Sequence, residues 1–294
     1  MVRLAIAFDA QRRICDPLFV LVVVLVFGFS LLFNFITYPG SHSHTMPKPY
    51  ELYRAVSWSA SPTLFGNLAL IGIIIGVLVI GFGHVRPRDL GISWRNVAIG
   101  GAAFPLAWCA FAIAEGTMGF AGANFALNSA WNSGPGIDGI LSDWVGQIFG
   151  NAPYEELLFR AFLIPQIYLR LPGGSVLIRI IAAVILSQVF FATCHIGTRV
   201  FKGHLEGVEL FVSLLKVFAD GLAFAWIYLR TLNPFVVSAF HALWNFPQPI
   251  YYPGRDFFPN ETWLAYLLVA IVFGALFPLL QRYVLSAFKN KTPR

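Results

Sequence analysis

Two adjacent carboxylates and an arginine stand in a stretch of this chain that is otherwise apolar enough to lie in a lipid bilayer. The stretch reads Asn151-Ala152-Pro153-Tyr154-Glu155-Glu156-Leu157-Leu158-Phe159-Arg160. Ionised groups at membrane depth are costly, and those that persist are commonly functional and turned toward a protein interior or a water-filled cavity. Along a helix Glu156 and Arg160 are four apart and share a face, whereas Glu155 is rotated by about 100° from Glu156. Glu156 is therefore expected to pair with Arg160 while Glu155 points elsewhere, and a carboxylate in a poorly solvated pocket has its pKa pushed up toward the range of a general base. A buried ion network that only fixes helix packing is the competing reading of the three.

Two more polar groups interrupt apolar stretches downstream. Phe190-Phe191-Ala192-Thr193-Cys194-His195 sets Phe191 and His195 on a common helical face. A lone histidine at the end of a span is more often interfacial or hydrogen-bonded than catalytic. Cys194 diverges from His195 by about 100° and is read as packing. Phe240-His241-Ala242-Leu243-Trp244-Asn245 sets His241 and Asn245 one turn apart. Two such donors aimed at one point could hold a developing oxyanion; they could also join a metal-ligand set, or simply bond a neighbouring helix.

The elements that must carry these groups are membrane helices. The chain is 57% hydrophobic and only 12% charged, against about 25% charged for an ordinary soluble domain. Stretches close to the roughly 20 apolar residues needed to cross the hydrocarbon core fall at 17–38, 62–83, 97–119, 141–169, 176–195, 208–229, 263–285 and, shorter, 234–250. The expected fold is all-α, a polytopic bundle of about eight transmembrane helices forming one integral-membrane domain over 1–294. Its catalytic core is expected at 141–250. Arg3, Arg12 and Arg13 precede the first span, as in a signal peptide, but no small-residue cleavage site follows it. A retained first helix is expected.

The net charge of +6 does not imply nucleic acid, because the basic residues are scattered singly between apolar spans. Cytoplasmic loops account for them better. Lys and Arg concentrate at the N-terminus, 83–95, 170–179, Arg230 and the C-terminal tail. The other side holds only Lys48, Arg54, Arg199, Lys202 and Arg255. Both termini are thus expected in the cytoplasm. Trp58, Trp94, Trp131, Trp144 and Trp263 lie near span ends, where indoles anchor at the headgroups. Cys15, Cys109 and Cys194 are too few and too dispersed for a disulfide framework or a cysteine zinc site.

Taken together and in this order, Glu155-Glu156 with Arg160, Phe191 with His195, and His241 with Asn245 resemble the CAAX-protease and bacteriocin-processing family of intramembrane proteases. Asn151-Ala152-Pro153-Tyr154, the stretch 221–230 and Asp89-Leu90-Gly91-Ile92 are similar to it too. Ala161 departs from the glycine usual in the family after the arginine. The resemblance runs from Tyr154 to Asn245; before it the chain is similar mainly in being hydrophobic.

The resemblance implies an endopeptidase hydrolysing a membrane-associated or prenylated protein or peptide within or beside the bilayer. By that resemblance Glu155 activates water with help from His195, His241 and Asn245 stabilise the oxyanion, and Glu156, Arg160 and Phe191 brace the site. Glu155, His195 and His241 are also ligand types that zinc accepts. Metal-dependent and metal-free mechanisms both use these residues, and the chain has no His-Glu-x-x-His motif to decide for zinc. The expected partners are a membrane-anchored substrate and the lipid bilayer, with no nucleic acid. A different class stays open: a non-catalytic bacteriocin-immunity protein, or a small carrier using intramembrane ionisable groups. The paired broken helices of many carriers are not seen. Glu115, Lys216 and Asp220 are unassigned, the last two being four apart and able to pair.

Overall fold

A computed structural model describes residues 2–37, 62–121, 125–127, 136–247, 251–253 and 259–289. In chain order it contains α1 (Val2–Asp9), α2 (Asp16–Thr37), α3 (62–82), a short 3₁₀ turn (Pro87–Leu90), α4 (Trp94–Ala121) and β1 (Phe125–Leu127). There follow α5 (136–168), α6 (Val176–Cys194), α7 (Gly207–Thr231), α8 (Pro234–Asn245), β2 (Tyr251–Pro253) and α9 (Pro259–Lys289). The two strands pair antiparallel, with Ala126 opposite Tyr252. The fold is a polytopic helical bundle, and the chain is a multi-pass integral membrane protein.

Six helical segments among the described residues are long and apolar enough to cross a membrane: Asp16–Phe35, Leu64–Phe82, Pro87–Met118, Val176–Lys202, Gly207–Thr231 and Thr262–Arg282. Two of the eight expected spans are not among them, for physical reasons. Helix α8 has 12 residues, about 18 Å of helix, well short of the ~30 Å hydrocarbon core. Helix α5 is long enough but carries Asp143, Glu155, Glu156 and Arg160 along its length. Its second half is enclosed by protein, so it is not an apolar rod.

The helix ends follow from capping chemistry. Ser175 accepts from Ile178 N at the start of α6, and Asn233 accepts from Phe235 N at the start of α8, with Pro234 as first helical residue. The Asn233 side chain also donates to Asn96 O at 3.0 Å, tying α8 to α4. These two helices approach closely because Gly100 lacks a side chain; a Cβ there would stand 2.5 Å from Phe235 Cβ.

Helix α5 changes its winding where it carries the polar residues. Gln147–Asn151 and Glu156–Leu163 are π-helical turns, separated by one α turn, Ala152–Glu155. Such widened turns are rare and recur at functional sites. Prolines flank them: Pro153 and Pro165 have no N–H to donate to the preceding turn. The carbonyls near them find other donors, as buried backbone groups must. Gln11 Nε2 reaches Ala161 O at 3.0 Å, and Ser187 Oγ reaches Phe159 O at 2.7 Å. At the far end of α5, buried Gln166 donates to Gln11 Oε1 and Arg12 O and accepts from Ile14 N. The N-terminal segment is thereby clamped to the helix that carries the two glutamates.

Of the expected interfacial tryptophans, Trp94 is exposed at the start of α4. Trp144 and Trp263 instead make internal bonds, to Phe246 O at 3.0 Å and Asp220 Oδ1 at 2.7 Å. Trp58, Trp131, Lys48, Arg54 and Arg255 lie outside the described residues.

Candidate active site

Adjacent positions on α5 direct the two glutamates apart, and helices α6 and α8 bring a histidine to each side. Glu156 and Arg160 are both fully buried and pair at 3.1 Å, so the local helix geometry holds through the π turn. The Arg160 guanidinium lies over the ring of Phe191 at 4.3 Å and near that of Phe224 at 5.3 Å, cation–π contacts that gain strength away from water. Its Nη2 reaches Gly221 O at 3.4 Å.

His241 stands between the glutamates. Its Nδ1 is 2.7 Å from Glu156 Oε1, and its Nε2 is 3.5 Å from Glu155 Oε2. Phe224 stacks on the imidazole, with centroids 4.2 Å apart and planes at 26°. On the other side of Glu155, His195 Nε2 lies 4.0 Å from Glu155 Oε1. His195 Nδ1 lies 2.8 Å from the Phe191 carbonyl; since a carbonyl can only accept, Nδ1 is the protonated nitrogen and neutral His195 presents a lone pair at Nε2. The Phe191 ring packs edge-on against His195 at 4.6 Å. Glu155, Glu156, His195 and His241 therefore form one cluster, with Arg160 and Phe191 behind it.

Asn245 is placed differently. It is exposed at the end of α8, and its Nδ2 donates to Gln147 Oε1 at 3.0 Å. Asn151 also donates to Gln147 Oε1, at 3.4 Å, and Asn67 to Asn151 Oδ1 at 3.4 Å. This polar row along α3, α5 and α8 was not anticipated from the sequence. Its signal was Gln147, two turns before Glu155 on the same helix. Gly221 and Phe224 lie in the stretch 221–230 that is similar to the family, but no role was assigned to them, and Gln188 was not singled out because an amide within an apolar helix carries no periodic signal. Cys194 is buried. Glu115 accepts from the Tyr266 hydroxyl. Lys216 and Asp220 meet at Trp263, whose ring lies 5.8 Å from Lys216 Nζ and whose indole N–H bonds Asp220.

Zinc ligands at bond lengths near 2.1 Å stand about 3.4 Å apart in a tetrahedral site. The ligand types are present, and Glu155 stands 3.5 Å from His241 Nε2 and 4.0 Å from His195 Nε2, close to that spacing. Among the described residues no group of three or more His, Cys, Asp and Glu side chains is gathered to hold a metal ion. Glu155, His195 and His241 are the side chains that would hold a zinc ion, and the chemistry below is derived from the side chains themselves.

Carboxylates and imidazoles thus converge inside a polytopic helical membrane protein. Residues 138–247 match the model of a protein family, described as type II CAAX prenyl endopeptidase Rce1-like. The matched segment holds every member of the cluster, and at family level it supports a CAAX-type intramembrane endopeptidase acting on a membrane-associated substrate. No curated protein and no solved structure matches the chain.

Proposed function

We propose that the protein is an intramembrane endopeptidase in which Glu155 activates water against a peptide bond of a lipid-anchored protein or peptide. The observation that carries this reading is the position of Glu155 between two imidazole Nε2 atoms, 3.5 and 4.0 Å away. A water about 2.8 Å from both Glu155 Oε1 and His195 Nε2 would subtend about 90° between them, near its own H–O–H angle. One hydrogen then faces a carboxylate and the other a lone pair, and the oxygen is free to attack.

The steps balance as follows. Glu155 takes a proton as the water oxygen bonds to the carbonyl carbon, and the carbonyl oxygen becomes an oxyanion. His241 donates to it from Nε2 as an imidazolium bonded to Glu156 at 2.7 Å, so that its charge and that of Arg160 are balanced by Glu156 and the oxyanion. Asn245 has two amide hydrogens; with one on Gln147, the second is available to the oxyanion. The C–N bond then breaks, and Glu155 returns its proton to the leaving amine. The products are a carboxylic acid and an amine.

The family description favours a prenylated CAAX-type substrate. The test is cleavage of lipid-anchored peptides by the purified protein in liposomes, followed by mass spectrometry of the fragments. Wild type should cleave and Glu155→Gln should not. Binding without cleavage across a panel of prenylated and acylated peptides would point to a non-catalytic immunity or carrier protein instead.

A further inference from the structure

Among the polar side chains buried in the bundle, Gln188 is anomalous. It is fully buried on α6, yet neither its Nε2 nor its Oε1 has a hydrogen-bond partner. An amide left so is expensive, and leucine would fill the position without that penalty. Gln188 lies on the same face of α6 as Phe191 and His195, three and seven residues on.

Its surroundings are specific. A Cβ on Gly221 would stand 2.8 Å from Gln188 Oε1 and 3.1 Å from Phe191 Cδ1. Gly221 therefore leaves the room that the carboxamide occupies. The carbonyl of the same Gly221 is reached by Arg160 Nη2 at 3.4 Å, a long bond, and Arg160 Nε is buried with no partner at all. Two under-bonded groups of opposite kind, an acceptor on Gln188 and a donor on Arg160, thus border one glycine.

We infer that Gln188 is a positioning residue that acts through Arg160, an inference that rests on the peptidase reading. When a bound peptide draws His241 toward the reacting carbonyl, Glu156 follows through its 2.7 Å bond to Nδ1. Arg160 then needs a further acceptor to hold its plane over Phe191; the unpartnered Glu156 Oε2 moves with its own carboxylate, and Gln188 Oε1 is the unpartnered amide oxygen that borders the same Gly221. The amide engages as the site fills, so that Glu156 stays aligned behind His241 during bond cleavage.

This role separates stability from turnover. A residue that merely holds the fold loses both when replaced. Gln188→Leu removes no bond present in the resting protein, so its melting temperature in detergent should equal or exceed that of wild type. Its kcat should fall by about tenfold to a hundredfold, as expected when reacting groups are misplaced, with KM within about twofold of wild type. Gly221→Ala, which displaces the carboxamide without deleting it, should lower kcat in the same way without raising the melting temperature. In a Gln188→Ala background, where the space is open, adding Gly221→Ala should cost little more. A lower melting temperature for Gln188→Leu, or a kcat equal to that of an active wild type, would overturn this inference alone. A wild type with no cleavage would overturn the peptidase reading and this inference with it.

Discussion

The imidazole of His241 bridges the two neighbouring glutamates, with Nδ1 2.7 Å from Glu156 Oε1 and Nε2 3.5 Å from Glu155 Oε2. One carboxylate therefore belongs to the back of the histidine and the other to its reactive edge. Glu156 is completely enclosed and already engaged by Arg160, while Glu155 retains a small opening to solvent. Two chemically identical residues, adjacent in sequence, are given different surroundings by a single helical rotation.

The first prediction follows from that division. Glu155→Gln should abolish peptide cleavage and leave the melting temperature nearly unchanged, since its Oε2 makes no hydrogen bond in the resting site. Glu156→Gln should lower stability by about 3–5 kcal/mol, because Arg160 would be left as a buried charge without its partner. Paired activity and thermal-melt measurements check both. Retained turnover in Glu155→Gln, or identical behaviour of the two variants, would refute the division of labour.

What the sequence revealed of this site was local. The Glu156–Arg160 pair is an i, i+4 relation on one helix and needs no tertiary knowledge. The bond from His241 to Glu156 spans 85 residues and that from Asn245 to Gln147 spans 98; no periodicity rule reaches so far. Six apolar spans were legible because hydropathy over some twenty residues is a direct signal. Helices α5 and α8 were harder to classify for opposite reasons, one carrying charges through its length and the other ending after 12 residues. Nor does side-chain periodicity foretell π turns, which occur beside prolines in α5 and without any proline in Ile71–Phe82.

A second prediction concerns the rim. If Asn245 gives one amide hydrogen to Gln147 and the other to the oxyanion, Asn245→Ala should slow the chemical step by on the order of 10²–10³ with little change in substrate binding. Gln147→Leu should have a smaller effect of the same kind, about tenfold, because it frees Asn245 to rotate without removing it. Single-turnover rates together with peptide binding would separate the two steps. A rate unchanged in Asn245→Ala removes this residue from the mechanism.

The third prediction is topological. The Lys and Arg distribution, counted over the eight expected spans, leads to the expectation that both termini are cytoplasmic and the 119–140 connection lies on the opposite side. Single cysteines at Ser133 and Ser286, introduced after Cys15, Cys109 and Cys194 have been replaced by alanine, should label from opposite faces of sealed vesicles. Labelling from one face only would mean an odd number of crossings between the two positions has been miscounted.

The fourth prediction tests metal dependence. With Glu155 at 3.5 Å from His241 and 4.0 Å from His195, the side chains are spaced to share a water, and cleavage by the purified protein should survive a strong chelator. Turnover lost on chelation and restored by zinc would instead make Glu155, His195 and His241 ligands, and the cluster would have to contract around the ion. The histidine variants add a second readout. As the water's acceptor, His195 should tolerate replacement by glutamine with partial activity, because glutamine Oε1 can still accept a hydrogen bond. As a zinc ligand it should not, and His195→Gln would lose bound metal together with turnover. Metal content of the purified protein, measured by elemental analysis beside the rate, distinguishes the two outcomes for each variant.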